Sequence, residues 1–211
     1  MDFAALLAPF LNGEPLTKAQ AAQVQSYLDL LLRWNRRVNL TALREPHSIV
    51  TRHFGESFFA GRELLRRSAG LHLTDIGSGA GFPGLAIKIY SPSTSVSLIE
   101  AQGKKATFLR EVIRSLALTD VDVITARAES LEFSADVVTL RAVERFEEIL
   151  PIAAEMVKRG GRIGLLISTK QIGRAKELLP EFSWFEPLAV PLSEERVLLT
   201  GVKPSGKESV Q

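Results

Sequence analysis

Cysteine is absent from this 211-residue sequence, which removes disulfides, thiolate metal sites and any cysteine nucleophile. Long apolar runs are absent too. None approaches the roughly 20 residues of a membrane span, and no basic region followed by an apolar stretch opens the chain, so a cytoplasmic protein without a membrane partner is expected. Histidine and tyrosine are scarce, at three and two residues. His47, His53 and His72 lack the spacing of metal ligands; each reads as a surface or packing residue, and no metal is expected. Tyr27 and Tyr90 fall in helical segments away from any expected crevice, which leaves a proton shuttle hard to place. There is no internal repeat and no low-complexity block.

What is present describes one substantial core. Apolar residues make up 45% of the chain and charged residues 24%, ordinary for a globular protein, and the length supports one domain with a small appended part. Thr17-Lys18-Ala19-Gln20 reads as a capping box. Val24, Tyr27, Leu28, Leu31 and Leu32 follow at helical spacing through Trp34 towards Val38. A second helical stretch after Pro46 carries Ile49, Val50, Phe54, Phe58 and Phe59. Residues 1–68 are therefore expected to form an all-helical subdomain.

From residue 71 short apolar runs alternate with helical segments, the pattern of a largely parallel sheet with helices on both faces. Strands are expected at 71–76, 96–99, 121–125, 136–140 and 162–167, and helices at 84–90, 104–116, 146–157 and 173–179. Residues 188–192 and 196–202 suit two antiparallel strands at the sheet edge. The domain is expected to span 69–203, followed by a polar, disordered tail at 204–211.

Charge is unevenly placed. The net charge is only +2, yet residues 33 to 67 hold eight arginines against Glu45, Glu56 and Glu63. That excess can neutralise several phosphates; a solvated helical face is the plainer alternative.

The most informative stretch is Asp75-Ile76-Gly77-Ser78-Gly79-Ala80-Gly81-Phe82-Pro83-Gly84, between an expected strand and an expected helix. Glycines at alternate positions allow turns closed to other residues and let a ligand approach the main chain. Such loops sit at the carboxyl ends of the strands, where ligands bind. Gly79 to Gly84 contains G-x-G-x-x-G, so a dinucleotide is one reading. Asp75 argues against it: a carboxylate there repels a pyrophosphate and favours a cation. S-adenosylmethionine carries a sulfonium and an ammonium and no phosphate, and Asp75-x-Gly77-x-Gly79-x-Gly81 fits the first motif of class I methyltransferases. Glu100, 23 residues after Gly77 and ending the second strand, is placed to bind the ribose hydroxyls of an adenosine, a device that NAD proteins share. Ala128-Glu129, after the third strand, is positioned to face the adenine.

These residues belong to a longer series. Trp34-Asn35, Asn39-Leu40-Thr41, His53-Phe54, the glycine string, Lys104-Lys105 with Phe108-Leu109, Arg127-Ala128-Glu129, Arg141-Ala142 and Glu195-Arg196 occur in that order. The chain so resembles the glucose-inhibited division protein B (RsmG) family of bacterial methyltransferases, which modify guanine N7 in small-subunit (16S) ribosomal RNA. The resemblance implies a Rossmann-like, class I S-adenosylmethionine-dependent fold. It also implies that Gly77, Phe82, Ala128, Glu129 and Arg141 contact the cofactor while Glu100 takes the ribose. Asp75 and Gly79 complete the expected cofactor set. Two positions depart from the family pattern: Thr169-Lys170-Gln171 replaces Lys-Gly after the fifth strand, and Glu56-Ser57 replaces Asp-Ser after the His-Phe pair.

The residues also narrow the methyl acceptor. Without cysteine, carbon-5 methylation of pyrimidines lacks its nucleophile. Thr139-Leu140-Arg141-Ala142 stands where an Asn/Asp-Pro-Pro-aromatic motif would present an exocyclic amine. Guanine N7 has a lone pair and no proton, so its attack needs no general base. Arg141 is the expected catalytic residue, organising cofactor and base and donating to guanine O6. Arg33, Arg36, Arg37, Arg52 and Lys170 are the expected RNA contacts, followed by Arg44, Arg62 and Arg66. Trp34 suits either stacking on a base or core packing. A monomer acting on ribosomal RNA, free or within the small subunit, is the reading these residues favour. A small-molecule methyltransferase or NAD oxidoreductase, and a cofactor-binding assembly protein without turnover, are the competing ones.

Overall fold

The computed structural model describes residues 2–66 and 70–206. The boundary expected at residue 68 and residues 207–211 of the expected tail lie outside them. Residues 204–206 form neither helix nor strand.

Helix α1 (Phe3–Leu11) is capped by the Asp2 side chain, and α2 (Lys18–Asn35) starts at the capping box expected at Thr17 and Gln20. The second helical stretch begins with Pro46 as α3 (Pro46–Ile49), continues as a π-helical turn over Val50–Gly55 and ends as α4 (Glu56–Leu65). Its expected apolar set, Ile49, Val50, Phe54, Phe58 and Phe59, is buried. Helix α1 packs on the π-helical turn.

The sheet contains β1 (His72–Ile76), β2 (Ser95–Ile99), β3 (Val121–Ile124), β4 (Ala135–Arg141), β5 (Val157–Ser168), β6 (Ser183–Trp184), β7 (Leu188–Ala189) and β8 (Arg196–Val202). Their order is β3-β2-β1-β4-β5-β8-β6, with β7 also on β8. The first five pair in parallel and β8 runs antiparallel to β5. Helices α5 (Gly84–Tyr90) and α6 (Gly103–Ser115) contribute to one apolar cluster with α2, α4 and the sheet; α7 (Phe146–Glu155) and α8 (Ile172–Leu178) contribute to the other. Each expected strand and helix of the sheet domain is present within a few residues. The largest differences are β5, which starts at Val157 because Val157 pairs with Ala135 beyond a register shift, and β7, which stops at Ala189. Leu192 turns there through a positive φ of 58°.

The winding direction reverses between β1 and β4, neighbours at the sheet's centre, which opens a crevice at their carboxyl ends. Helix α2 is aligned to reach it. Gln20 bonds the Ile89 and Tyr90 carbonyls at the far end of α5, and Gln23 bonds the Leu116 carbonyl just past α6. Seven residues on from Gln20, Tyr27 reaches the glycine loop at the near end of α5. The helix thus runs antiparallel to α5 and α6 and carries its C-terminal arginines towards the crevice.

Candidate functional site

The loop between β1 and α5 is built on backbone that only glycine adopts easily. Gly77, Gly79 and Gly81 have φ of +68°, +55° and +86°, and Gly77 is exposed at the crevice. The loop folds over the end of β2, where Gly77 and Ser78 donate their N–H groups to the Ile99 carbonyl at 2.9 and 3.1 Å. Glu100 receives the Gly79 N–H on one carboxylate oxygen at 2.8 Å and the Gln102 N–H on the other, also at 2.8 Å. Each oxygen keeps a lone pair for a further donor such as a hydroxyl. An open glycine turn beside an acid at the end of β2 therefore fits the adenosyl part of S-adenosylmethionine.

Asp75 lies beneath the loop and makes no direct opening to the crevice. It is 1% exposed, and its oxygens accept from the Thr139 hydroxyl at 2.9 Å and the Gly84 N–H at 3.1 Å. Burial pushes its carboxyl up to about 6, against the restraint of those bonds and of Arg141. The side chain points under the loop, so it braces the turn and reaches a ligand only through its charge. Phe82 is also turned inward: its ring lies between Tyr27 (5.2 Å, 6° between planes) and His53 (4.8 Å, 25°), which leaves its backbone for a ligand. Ala128 opens a short 3-10 turn, Ala128–Ser130, and is buried; Glu129 is exposed and pairs with Arg145 at 3.1 Å.

Arg141 ends β4 at the crevice. One guanidinium nitrogen donates to the Arg52 carbonyl at 2.6 Å and to Glu56 at 3.2 Å. The second Glu56 oxygen binds Arg196 at 2.6 Å. Glu56 is 2% exposed, so one buried carboxylate holds two guanidiniums, with Arg52 close by. Arg141 and Arg196 line a cavity of about 210 Å³ at the ends of β4 and β5, together with Val143, Phe146, Ser168 and Gln171. The departure at Glu56 thus falls at the centre of this cluster. In the sequence Arg196 stands only as a mark of resemblance and Glu56 only as a departure from the family pattern, because their partnership joins positions 140 residues apart.

Of the expected RNA contacts, Arg33, Arg36, Arg37, Arg52 and Lys170 are all exposed. The first three line a groove of about 450 Å³ with Trp34, Val38 and Glu111. Lys170 lies in the turn after β5, next to Arg196, since the Thr169 N–H donates to the Glu195 carbonyl at 2.8 Å. Arg44 holds its own loop through the Thr41 carbonyl and Asn39. Arg62 and Arg66 share Glu63 at 2.6 and 3.3 Å. Those two flank Leu64, whose carbonyl accepts from Arg162 of β5, which pairs with Val137 near the start of β4, at the opposite end of the sheet. Trp34 packs on Phe108 at 5.6 Å and donates to Glu111 at 3.1 Å, which makes it a packing residue.

Two residues overturn their expected placement or gain a role. Tyr27, expected away from the crevice, is fully buried and donates its hydroxyl to the Ala80 carbonyl inside the loop. Its spacing on α2 announced burial and nothing about its target. His53 meets Thr41 at 2.7 Å through Nε2. Burial, with Arg141 beside it, pushes its pKa down to about 3, so the ring is neutral at physiological pH. Tyr90 stacks on Phe58 at 5.9 Å, remote from the loop.

Solved structures with this architecture include magnesium protoporphyrin IX methyltransferase (ChlM) from Synechocystis PCC 6803 with bound SAM. It has a TM-score of 0.64 and 16% identity over 86% of this chain and 97% of that one. TYW2 from M. jannaschii in complex with AdoMet gives 0.55 and 19% over 70% and 74%. At those identities they show the fold, that of class I S-adenosylmethionine-dependent methyltransferases. Sequence relatives are nearer. Ribosomal RNA small subunit methyltransferase G of Chloroflexus aggregans is 40% identical over 92% of this chain and 87% of its own length. The protein of that name from Xanthomonas campestris pv. campestris (strain B100) is 37% identical over 94% of both. The model of one family spans residues 20–193, from the first turn of α2 through the glycine loop to Arg141 and beyond it to the segment before β8, and the chain belongs to that family, GidB, rRNA small subunit methyltransferase G.

Proposed function

We propose that this chain transfers a methyl group from S-adenosylmethionine to N7 of a guanine in small-subunit (16S) ribosomal RNA. The observation that carries the reading is the gathering of three parts towards the carboxyl end of the sheet: the glycine turn beside Glu100, Arg141 on the wall of a 210 Å³ cavity at the ends of β4 and β5, and exposed arginines on the helix that reaches the glycine turn. When bound, S-adenosylmethionine supplies a sulfonium methyl whose carbon bonds to the N7 lone pair as the carbon–sulfur pair returns to sulfur, and no proton moves.

The chain's own residues hold and orient. Gly77, Gly79, the Phe82 backbone and Ala128 shape the cofactor's cradle, with Asp75 bracing it from below. Glu100 accepts from ribose hydroxyls on its free lone pairs, and Glu129 borders the adenine. Arg141, fixed by Glu56 and the Arg52 carbonyl, has further N–H groups for guanine O6. Rate enhancement then comes mainly from alignment, which in favourable cases contributes about 7 to 11 kcal/mol. Arg33, Arg36, Arg37, Arg52 and Lys170 contact phosphates. In this reading the helices of residues 1–68 serve RNA docking, 69–203 the chemistry, and the protein works as a cytoplasmic monomer. No helix among the described residues is long and apolar enough to cross a membrane, in keeping with such a substrate.

Incubation with labelled S-adenosylmethionine and small subunits lacking the modification tests the proposal. Label at N7 of one guanine is expected. Label on protein, on a pyrimidine or on a small metabolite overturns it.

A further inference from the structure

We propose that Tyr27 is a positioning residue for the cofactor: its hydroxyl, delivered by helix α2, holds the Ala80 carbonyl and so keeps the glycine turn in its receptive shape. This rests on the reading of the turn as the S-adenosylmethionine cradle.

Three glycines in five residues, Gly77 to Gly81, leave this turn with little intrinsic stiffness, since glycine loses more freedom on ordering than any other residue. A loop that must present its backbone to a ligand therefore needs restraint from outside. Asp75 supplies one restraint at Gly84 and Glu100 another at Gly79. The middle of the turn is held from a distant part of the chain, 53 residues earlier, by the Tyr27 hydroxyl. The site is built around that contact. Tyr27 is 0% exposed, its ring lies parallel on Phe82 at 5.2 Å, and Phe54 meets both rings edge-on at 5.2 and 5.0 Å. His53 closes the far face of Phe82 at 4.8 Å. A Cβ on Gly81 would collide with the Tyr27 hydroxyl and crowd Leu85, so glycine at 81 leaves the room the hydroxyl occupies. Burial also raises the Tyr27 pKa well above its ordinary value, and the group stays a donor throughout the working range.

An ordinary core tyrosine would need only its ring, and Tyr27→Phe keeps the ring. Removing the hydroxyl leaves a buried carbonyl short of a donor in the one segment that must be ordered before ligand arrives. The expected result is a dissociation constant for adenosylhomocysteine raised about tenfold by calorimetry, and a raised KM for S-adenosylmethionine with kcat at saturation near wild type. Leu31→Ala, one turn along α2 in the same core, is the comparison: it lowers Tm and leaves that dissociation constant alone. Equal affinity in wild type and Tyr27→Phe overturns the role of Tyr27 and leaves the cofactor site standing. A wild-type protein that fails to bind adenosylhomocysteine overturns both. Hydrogen exchange on the unaltered protein gives a reading that does not depend on the variant's folding. Protection of amides 77–84 before ligand is added is expected, and free exchange there until ligand arrives overturns the proposal.

Discussion

Two sets of arginines stand at the loop end of the molecule, one inside it and one on it. Arg141 and Arg196 are held by a single carboxylate, Glu56, at 3.2 and 2.6 Å. Burial lowers the pKa of both guanidiniums while Glu56 raises it. Arg33, Arg36 and Arg37 are exposed around the end of α2 and have no ion-pair partner among the described residues. A buried pair costs much desolvation and repays it only when geometry is fixed, so the inner set provides donors at defined positions. The outer set keeps its hydration and its rotamers. It offers charge without direction, which suits a phosphate backbone.

Removing Glu56 tests the inner set most severely. Glu56→Gln leaves two largely buried cations facing each other, and losing one partner of such a group costs about 3–5 kcal/mol. A fall in Tm of about 10 °C is expected by calorimetry, and an unchanged Tm would show that Glu56 does not hold the pair. Next in size is Arg141→Ala. With cofactor and RNA saturating, single-turnover methyl transfer should fall about 100-fold, the cost typical of losing one preorganised donor. Full transfer would make Arg141 a structural residue only.

Smaller effects lie in pH. His53 has a folded pKa of about 3 against an ordinary 6.5, so the unfolded chain takes up its proton first. Its contribution to stability is full above 6.5 and is lost as pH falls towards 3. Asp75 acts in the opposite sense. Its folded pKa of about 6 exceeds the ordinary 3.8, so its contribution is full below 3.8 and is lost as pH rises through 6. Thermal unfolding between pH 4 and 7 should show a shallower loss on acidification in His53→Gln, and a steeper one in Asp75→Asn. Identical slopes in all three proteins would contradict both assignments.

The outer set gives the smallest stability change of all. Arg36→Gln with Arg37→Gln should alter stability by no more than about 0.5 kcal/mol, as for other surface changes. Binding to small-subunit RNA should weaken, with the salt slope reduced by about 0.7 to 0.9 for each phosphate that the variant no longer neutralises. An unaltered slope would move the RNA path off α2.

Local patterns in the sequence carry much of this fold. The Thr17–Gln20 capping box, the alternation of strands and helices and the glycine string are encoded within a few residues of one another. Each appears close to where spacing puts it. Glu100 was legible because a strand end and a fixed interval from Gly77 locate it beside the turn. Tyr27 was not, since helical periodicity tells which face is buried and is silent on what lies opposite. Asp75 is legible as a charge beside the turn because its position in the motif fixes where it sits but not where it points; the pleat turns it towards Thr139 and Gly84.

The order of residues by itself determined where the chain turns, which faces are apolar, and that an acid and alternating glycines separate strand from helix, because these depend on neighbours in sequence. Only the tertiary structure decided that Glu56 joins Arg141 to Arg196, and that Tyr27 reaches across 53 residues to hold Ala80. Those contacts depend on how α2, α4 and the sheet pack around a shared core. Burial then sets the charge state and the direction of each group, and neither property is local in the sequence.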